Sequence, residues 1–414
     1  MFTTEANQQP KSSNDNAIQR WYKKFSSQPH QPFFANGLLF LVFFLFAIFL
    51  NYAQGFDFTV PLLTYHAYAL IFVVFVQFFI GFLFVVFPRF LMQAEIKPES
   101  YMKQFAFYFV GTIMFFIGIF VSPVMVYEGS IILFGAQIAT FITLYKIHMA
   151  SKMAEKNDTK WILISFLTGL VSHAAYLVSS IIFPEAIVVQ KAAINAGFYL
   201  FIFMLIFAVS QRMIPFFTSA KVQGYVVNKS KNLMEALFVL LILKVVLLTF
   251  DTPALNFIAD IPLFILFMRE FFVKWKLPIF KVVPIMWVLY ISILWIPIGF
   301  FLSSVESLVA LAGMNMVFEK SVLHIFAIGY FITILLGFGT RVVLGHSGRT
   351  PTADTITTWM FYLVQIVVVL RFFAAMSINI GFDYVFWINI SSVSLIVLLL
   401  AWSVKYLPIL LKGK

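Results

Sequence analysis

The sequence predicts an all-α, polytopic integral membrane bundle of about twelve transmembrane helices. Three observations carry that prediction. Of 414 residues, 62% are hydrophobic and only 11% charged, with a mean hydropathy of +0.97. A soluble domain of this length needs more polar surface than that. Apolar runs of ~20 residues, long enough to cross a hydrocarbon core of ~30 Å, recur along the chain. Basic residues cluster in every second connection, those on one side, as the positive-inside bias requires.

Residues 1–33 are polar and rich in Ser, Asn and Gln, and read as a cytoplasmic tail. They lack the short apolar core and small-residue cleavage site of a signal peptide. Residues 34–414 read as a single transmembrane domain. Its spans are expected at roughly 34–52, 64–88, 103–122, 129–148, 161–183, 191–212, 232–250, 254–272, 281–303, 320–341, 354–376 and 382–404. The connections are short, so no soluble catalytic domain is expected.

Of the 28 Lys and Arg, Lys191, Lys320 and Arg371 fall on the side away from the tail, and Lys244 falls within a span. All the others share the tail's side, which places both termini in the cytoplasm. The same bias accounts for the net charge of +11, so membrane lipid is an expected partner and nucleic acid is not. The chain has no cysteine. That excludes disulfides, iron–sulfur clusters and covalently attached c-type haem, and leaves Met and His as copper ligands.

The six histidines differ in position. His30, just before the first span, and His148, among lysines at a helix end, read as interfacial residues. His66 and His324 each lie about one turn into the second and tenth spans, at a similar depth near the outer surface. A neutral imidazole there needs a hydrogen-bond partner or a metal. Two at one depth can take the two axial positions of a b-type haem iron, or each can bond to a neighbouring helix. His173 lies deeper in its span, ~18 Å in at ~1.5 Å per residue. A third metal ligand, a proton relay and a packed polar residue are all open to it.

At the cytoplasmic ends lie Arg212, in "SQRMIPFFT", and Arg341, His346 and Arg349, in "TRVVLGHSGRT". Arginines spaced by glycines suit bidentate binding of an anionic group, or serve as orientation charges beside a turn. Lys244 is the residue that a proton- or ion-coupled transporter would use. A third reading is an assembly factor for a respiratory complex.

Several separated segments together resemble the NnrS family. They are "HQPFFANGLLF", with His30, Phe33 and Phe34; "YHAYALIFVVFVQFFIGFLFVVFPRF", with His66; "QRMIPFFT"; and "TRVVLGHSGRT", preceded by His324. They run from about residue 30 to 350, most of the chain. Members are twelve-span bacterial membrane proteins described as binding haem and copper and linked to nitric oxide and denitrification. The resemblance implies haem b held by His66 and His324, with His173 and His30 as further metal candidates. It implies copper as a second cofactor, and raises Arg212, Arg341, His346 and Arg349 above orientation charges. It implies a bacterial inner (cytoplasmic) membrane protein of nitrosative-stress defence that senses, scavenges or transfers electrons. Its partners would be nitric oxide or a related small ligand and a redox partner or quinol.

The chain departs from the family pattern at Tyr68 and Ala69, where a second histidine and a glutamate are expected. That removes a donor from any copper site there. Histidines on spans 2 and 10 also resemble the low-spin haem ligands of haem–copper oxidase subunit I. The paired histidines that hold copper in those oxidases are absent, so terminal oxidase activity is not expected.

Overall fold

A computed structural model describes residues 16–279 and 282–413. Among these, helices make up all of the regular structure. A short helix, α1 (Ala17–Phe25), lies within the stretch expected as tail; residues 1–15 lie outside the described residues. Asn16 and Gln19 cap α1 reciprocally through side chain and backbone. Trp21 Nε1 donates to the carbonyl of Leu411 at 2.9 Å, which ties α1 to the last helix.

The first long helix, α2 (His30–Gln54), opens four residues before the expected boundary. Gln31 Oε1 accepts from Gln28 N at 3.1 Å and from Ser27 Oγ at 3.0 Å, and so satisfies donors at the helix start. His30 is thereby buried at the head of a membrane helix.

The rest follow as α3 (Leu63–Phe90), α4 (Pro98–Val121), α5 (Pro123–Ala150), α6 (Asn157–Ile181), α7 (Ile187–Ser219), α8 (Leu233–Thr249), α9 (residues 257–275), α10 (Pro284–Leu311), α11 (Ser321–His346), α12 (Thr355–Ile380) and α13 (Tyr384–Lys412). Ten of the described helices are long and apolar enough to cross a membrane. The seventh and eighth expected spans correspond to α8 and α9. The first is only 17 residues long, and the second carries Asp260, Arg269, Glu270 and Lys274.

Neighbours in sequence pack as neighbours in space, and α13 returns to pack on α2, which joins the two ends of the chain. In their most apolar windows α3, α7 and α11 are 83%, 78% and 78% buried, against 39%, 33% and 39% for α4, α5 and α13. The first three are therefore central and the others form the rim. Each central helix also contains a π-helical stretch: Leu63–Phe75, Gly197–Phe203 and Ile325–Ile332. Such stretches concentrate at functional sites, because the wider turn re-aims side chains. Helix α3 faces α11 along its length, through Phe75 on Phe331 and Phe82 on Phe338, each pair 5.9 Å apart.

A polar ladder ties α2, α3 and α4. Asn36 Nδ2 donates to Gln77 Oε1 at 2.6 Å, and Gln77 Nε2 donates to Thr112 Oγ1 at 3.1 Å. Outside the spans, Asp354 accepts from Thr357 N at 2.9 Å and caps α12. Its hydrogen bond to the Lys405 ammonium holds its carboxyl down at about 2.

Candidate functional site: two imidazole pairs at opposite ends of one helix

Helix α11 carries His324 near its first residue and His346 at its last. Twenty-two residues at ~1.5 Å put them about 30 Å apart, the thickness of a hydrocarbon core. Each meets a histidine from another helix.

At the first end, His66 from α3 faces His324 with ring centroids 6.0 Å apart and planes inclined by 14°. His324 Nδ1 lies 2.9 Å from the Lys320 carbonyl, so Nδ1 carries the proton and Nε2 the lone pair. A metal-ligating imidazole is commonly oriented in this way, by its second nitrogen donating to a carbonyl. His66 Nδ1 is buried with no hydrogen-bond partner within the protein. Two metal–nitrogen bonds of about 2.0 Å on opposite sides of one ion would put the ring centroids about 6.3 Å apart. The observed separation lies about 0.3 Å inside that value, so the two rings are spaced as two imidazole ligands of one iron would be.

Sequence reading treated Arg371 only as an orientation charge, yet it belongs to this end. It is 6% exposed, on α12, and its Nη1 has no hydrogen-bond partner. Tyr384 bonds to the guanidinium, whose charge acts on both His66 and His324. A lone arginine inside an apolar run was the available signal.

Two residues beyond His66, Tyr68 points to the opposite side of α3, since i and i+2 diverge by roughly half a turn. Its hydroxyl lies 2.6 Å from His173 Nε2, and His173 Nδ1 lies 2.6 Å from Gln137 Oε1. With Nδ1 donating to Gln137, Nε2 accepts the phenol proton. Both nitrogens of His173 are thus engaged within the protein, the arrangement of a relay or of a locked polar residue. The tyrosine that departs from the family pattern is therefore part of a buried network.

At the opposite end, His30 from α2 faces His346 with centroids 4.8 Å apart and planes inclined by 40°. His30 is 3% exposed and its Nδ1 has no partner within the protein. His148 is not part of either pair: its Nδ1 bonds Thr159 Oγ1 at 3.0 Å.

The arginines of this end go to separate partners. Arg212 Nη1 bonds Asp158 at 2.7 Å and lies over the Phe90 ring, whereas Arg341 lies 3.8 Å over the Phe217 ring. Gln211 bridges Asp158 and Lys229, through contacts of 2.6 Å and 2.7 Å. Burial pushes the Lys229 ammonium below its usual range. Arg349 is exposed.

Fold and geometry thus define a polytopic helical membrane protein with a pair of imidazoles at each end of a central helix. The chain belongs to the NnrS family: a family model described as NnrS protein matches residues 24–414, nearly the whole chain. Comparison with curated proteins gave no match.

Proposed function

We propose that this protein binds haem b in the bacterial inner membrane and serves the response to nitric oxide. The observation that carries the reading is the His66–His324 pair, set on two central helices with centroids 6.0 Å apart. Family membership supports the link to nitric oxide. His66 and His324 would hold the iron, and Lys320 fixes the tautomer of His324 through its carbonyl. Haem held there supplies a one-electron iron couple, open to a diatomic ligand only when an imidazole leaves. Two axial histidines favour sensing or electron transfer over direct scavenging, with electrons drawn from a quinol or a redox protein. Nitric oxide is small and apolar and partitions into lipid, so a site within the bundle meets it where it accumulates.

The test is an optical spectrum of the purified protein, oxidised and reduced, with and without nitric oxide. Sharp α and β bands on reduction are expected, with the Soret band lost or shifted in His66→Ala and in His324→Ala. Unaltered haem binding in both variants would remove the ligand assignment.

A second reading, ion-coupled transport, is favoured by one observation. Lys244 Nζ bonds Asp260 Oδ2 at 2.8 Å inside the bundle, Ser303 Oγ lies within 2.8 Å of both groups, and Asp260 Oδ1 is buried without a partner. A transporter of this kind would purify without a chromophore, so the same spectrum separates the readings.

A further inference from the structure

We propose that Asp260, Glu306 and Lys244 hold one exchangeable proton in common, taken up from the end of the bundle that carries His66 and His324. Lys244 lies five residues before the end of α8, Glu306 lies five before the end of α10, and Asp260 is the fourth residue of α9. At ~1.5 Å per residue, all three sit about 4–8 Å inside one end of the bundle. Lys320, the residue before α11, marks the same end.

The charges do not balance without that proton. Lys244 Nζ donates to Asp260 Oδ2 and to Ser303 Oγ, each at 2.8 Å, and Ser303 Oγ donates to the same Oδ2 at 2.6 Å. Asp260 is fully buried, and its other oxygen, Oδ1, has no hydrogen-bond partner among the described residues. The charge of Lys244 also acts on Glu306, which lies one turn along α10 from Ser303. One ammonium thus serves two carboxyl groups, which repel each other when both are ionised. Full ionisation leaves one negative charge unbalanced where an uncompensated charge is expensive. Two carboxyl groups in that position keep one proton between them. Lys320 also acts on Glu306, but it is exposed and solvent screens it. From α7, Tyr199 lies within electrostatic reach of both carboxyl groups and adds a phenol to the cluster.

The unpartnered Oδ1 is where the proton lodges at the closed end. Protonation turns that oxygen from an acceptor into a donor. Asn256, four residues earlier, has a buried side-chain oxygen that also lacks a partner. Side chains at i and i+4 are neighbours on a helix, so one proton serves both oxygens. Glu306 is the open end: it is half-buried, whereas Asp260 and Lys244 are buried. The path therefore runs from water to the Glu306 carboxylate and on to Asp260 Oδ1. Only O–H bonds form and break along it, and the cluster gains one positive charge. The site names the ion of the transport reading, and rests on that reading only for passage across the bilayer. It uses no residue of the haem reading.

The test is infrared spectroscopy of the full chain in detergent, across a pH titration in H2O and in D2O. A neutral carboxyl group has a C=O stretch that a carboxylate lacks, and the stretch shifts on deuteration. At about pH 7 exposed carboxyl groups are ionised. A neutral-carboxyl band is nevertheless expected there in the wild type, and it should vanish at alkaline pH. Glu306→Gln and Asp260→Asn each leave one carboxylate for one ammonium, so each should abolish the band. Glu185→Gln, exposed in the loop before α7, should leave it intact. Unchanged gel-filtration and thermal profiles show that a variant is folded. Glu306 is half-buried and outside the hydrogen-bonded clamp, so its variant keeps the test open even if Asp260→Asn unfolds. A folded wild type without the band would overturn the proposal, as would a band that survives in either folded variant. Proton uptake by reconstituted vesicles tests transport separately. A protein that shows the band yet moves no protons would remove the transport reading and keep the site.

Discussion

The residues that matter here are polar groups placed where polarity is expensive. A guanidinium buried to 6% exposure with a free donor is costly unless something anionic or polarisable meets it. Arg371 stands beside the His66–His324 pair, and its positive charge disfavours the more positive, oxidised form of a metal between them. If haem is held there as proposed, Arg371→Met should therefore lower its midpoint potential. The expected fall is about 60 mV, the equivalent of one tenfold change in a one-electron equilibrium. A redox titration of the variant gives the answer. An unchanged potential with unchanged haem content would mean that the guanidinium plays no part at the metal. His66 and His324 were visible in the sequence as two imidazoles at equal depth. Arg371 was not, because one charge near a helix end reads first as orientation.

At the scale of the element, glycine decides which helices touch. A Cβ on Gly129 of α5 would lie 2.7 Å from Phe115 N and 2.8 Å from the Gly111 carbonyl of α4. Both obstacles are backbone, so no side chain can turn aside. This is the close approach that small residues allow between membrane helices. Gly129→Ala should destabilise the protein by about 1–3 kcal/mol, as overpacking does, and lower its melting temperature in detergent. Gly135→Ala, on the same helix with nothing within 4 Å of its added Cβ, should leave it within about 0.5 kcal/mol of wild type. Equal melting of the two variants would show that the α4–α5 approach is not limiting. Helix positions were legible because apolar runs and charges alternate along the chain. The start of α2 was misplaced by four residues, because "SSQPHQ" looks polar in isolation. Its polar groups bond to one another and the segment packs inward.

Across the whole molecule, Lys244, Asp260 and Ser303 clamp α8, α9 and α10 together. A buried pair broken on one side leaves an uncompensated charge and costs about 3–5 kcal/mol, whereas an apolar replacement of both partners is close to neutral. Lys244→Met alone should therefore melt well below wild type, and Lys244→Met with Asp260→Leu should recover most of the loss. Recovery of stability together with an unimpaired form of the proposed nitric oxide response would make the pair a structural clamp. Recovery of stability without function would point to charge movement at Asp260.

By itself the sequence determined the class, the approximate number and place of the helices, the family and the two histidines of the first pair. Those follow from local quantities: apolar run length, charge alternation and motifs that need no partner to be recognised. Only the tertiary structure decided who meets whom. It brought His30 to His346 across more than three hundred residues, gave both nitrogens of His173 to Tyr68 and Gln137, and sent Arg212 and Arg341 to separate partners. The physical reason is that a contact between helices depends on their relative rotation and depth. Those are fixed by packing over whole faces, by glycine approaches such as that of Gly129 and by the π-helical turns of the central helices. No single stretch of sequence contains that information.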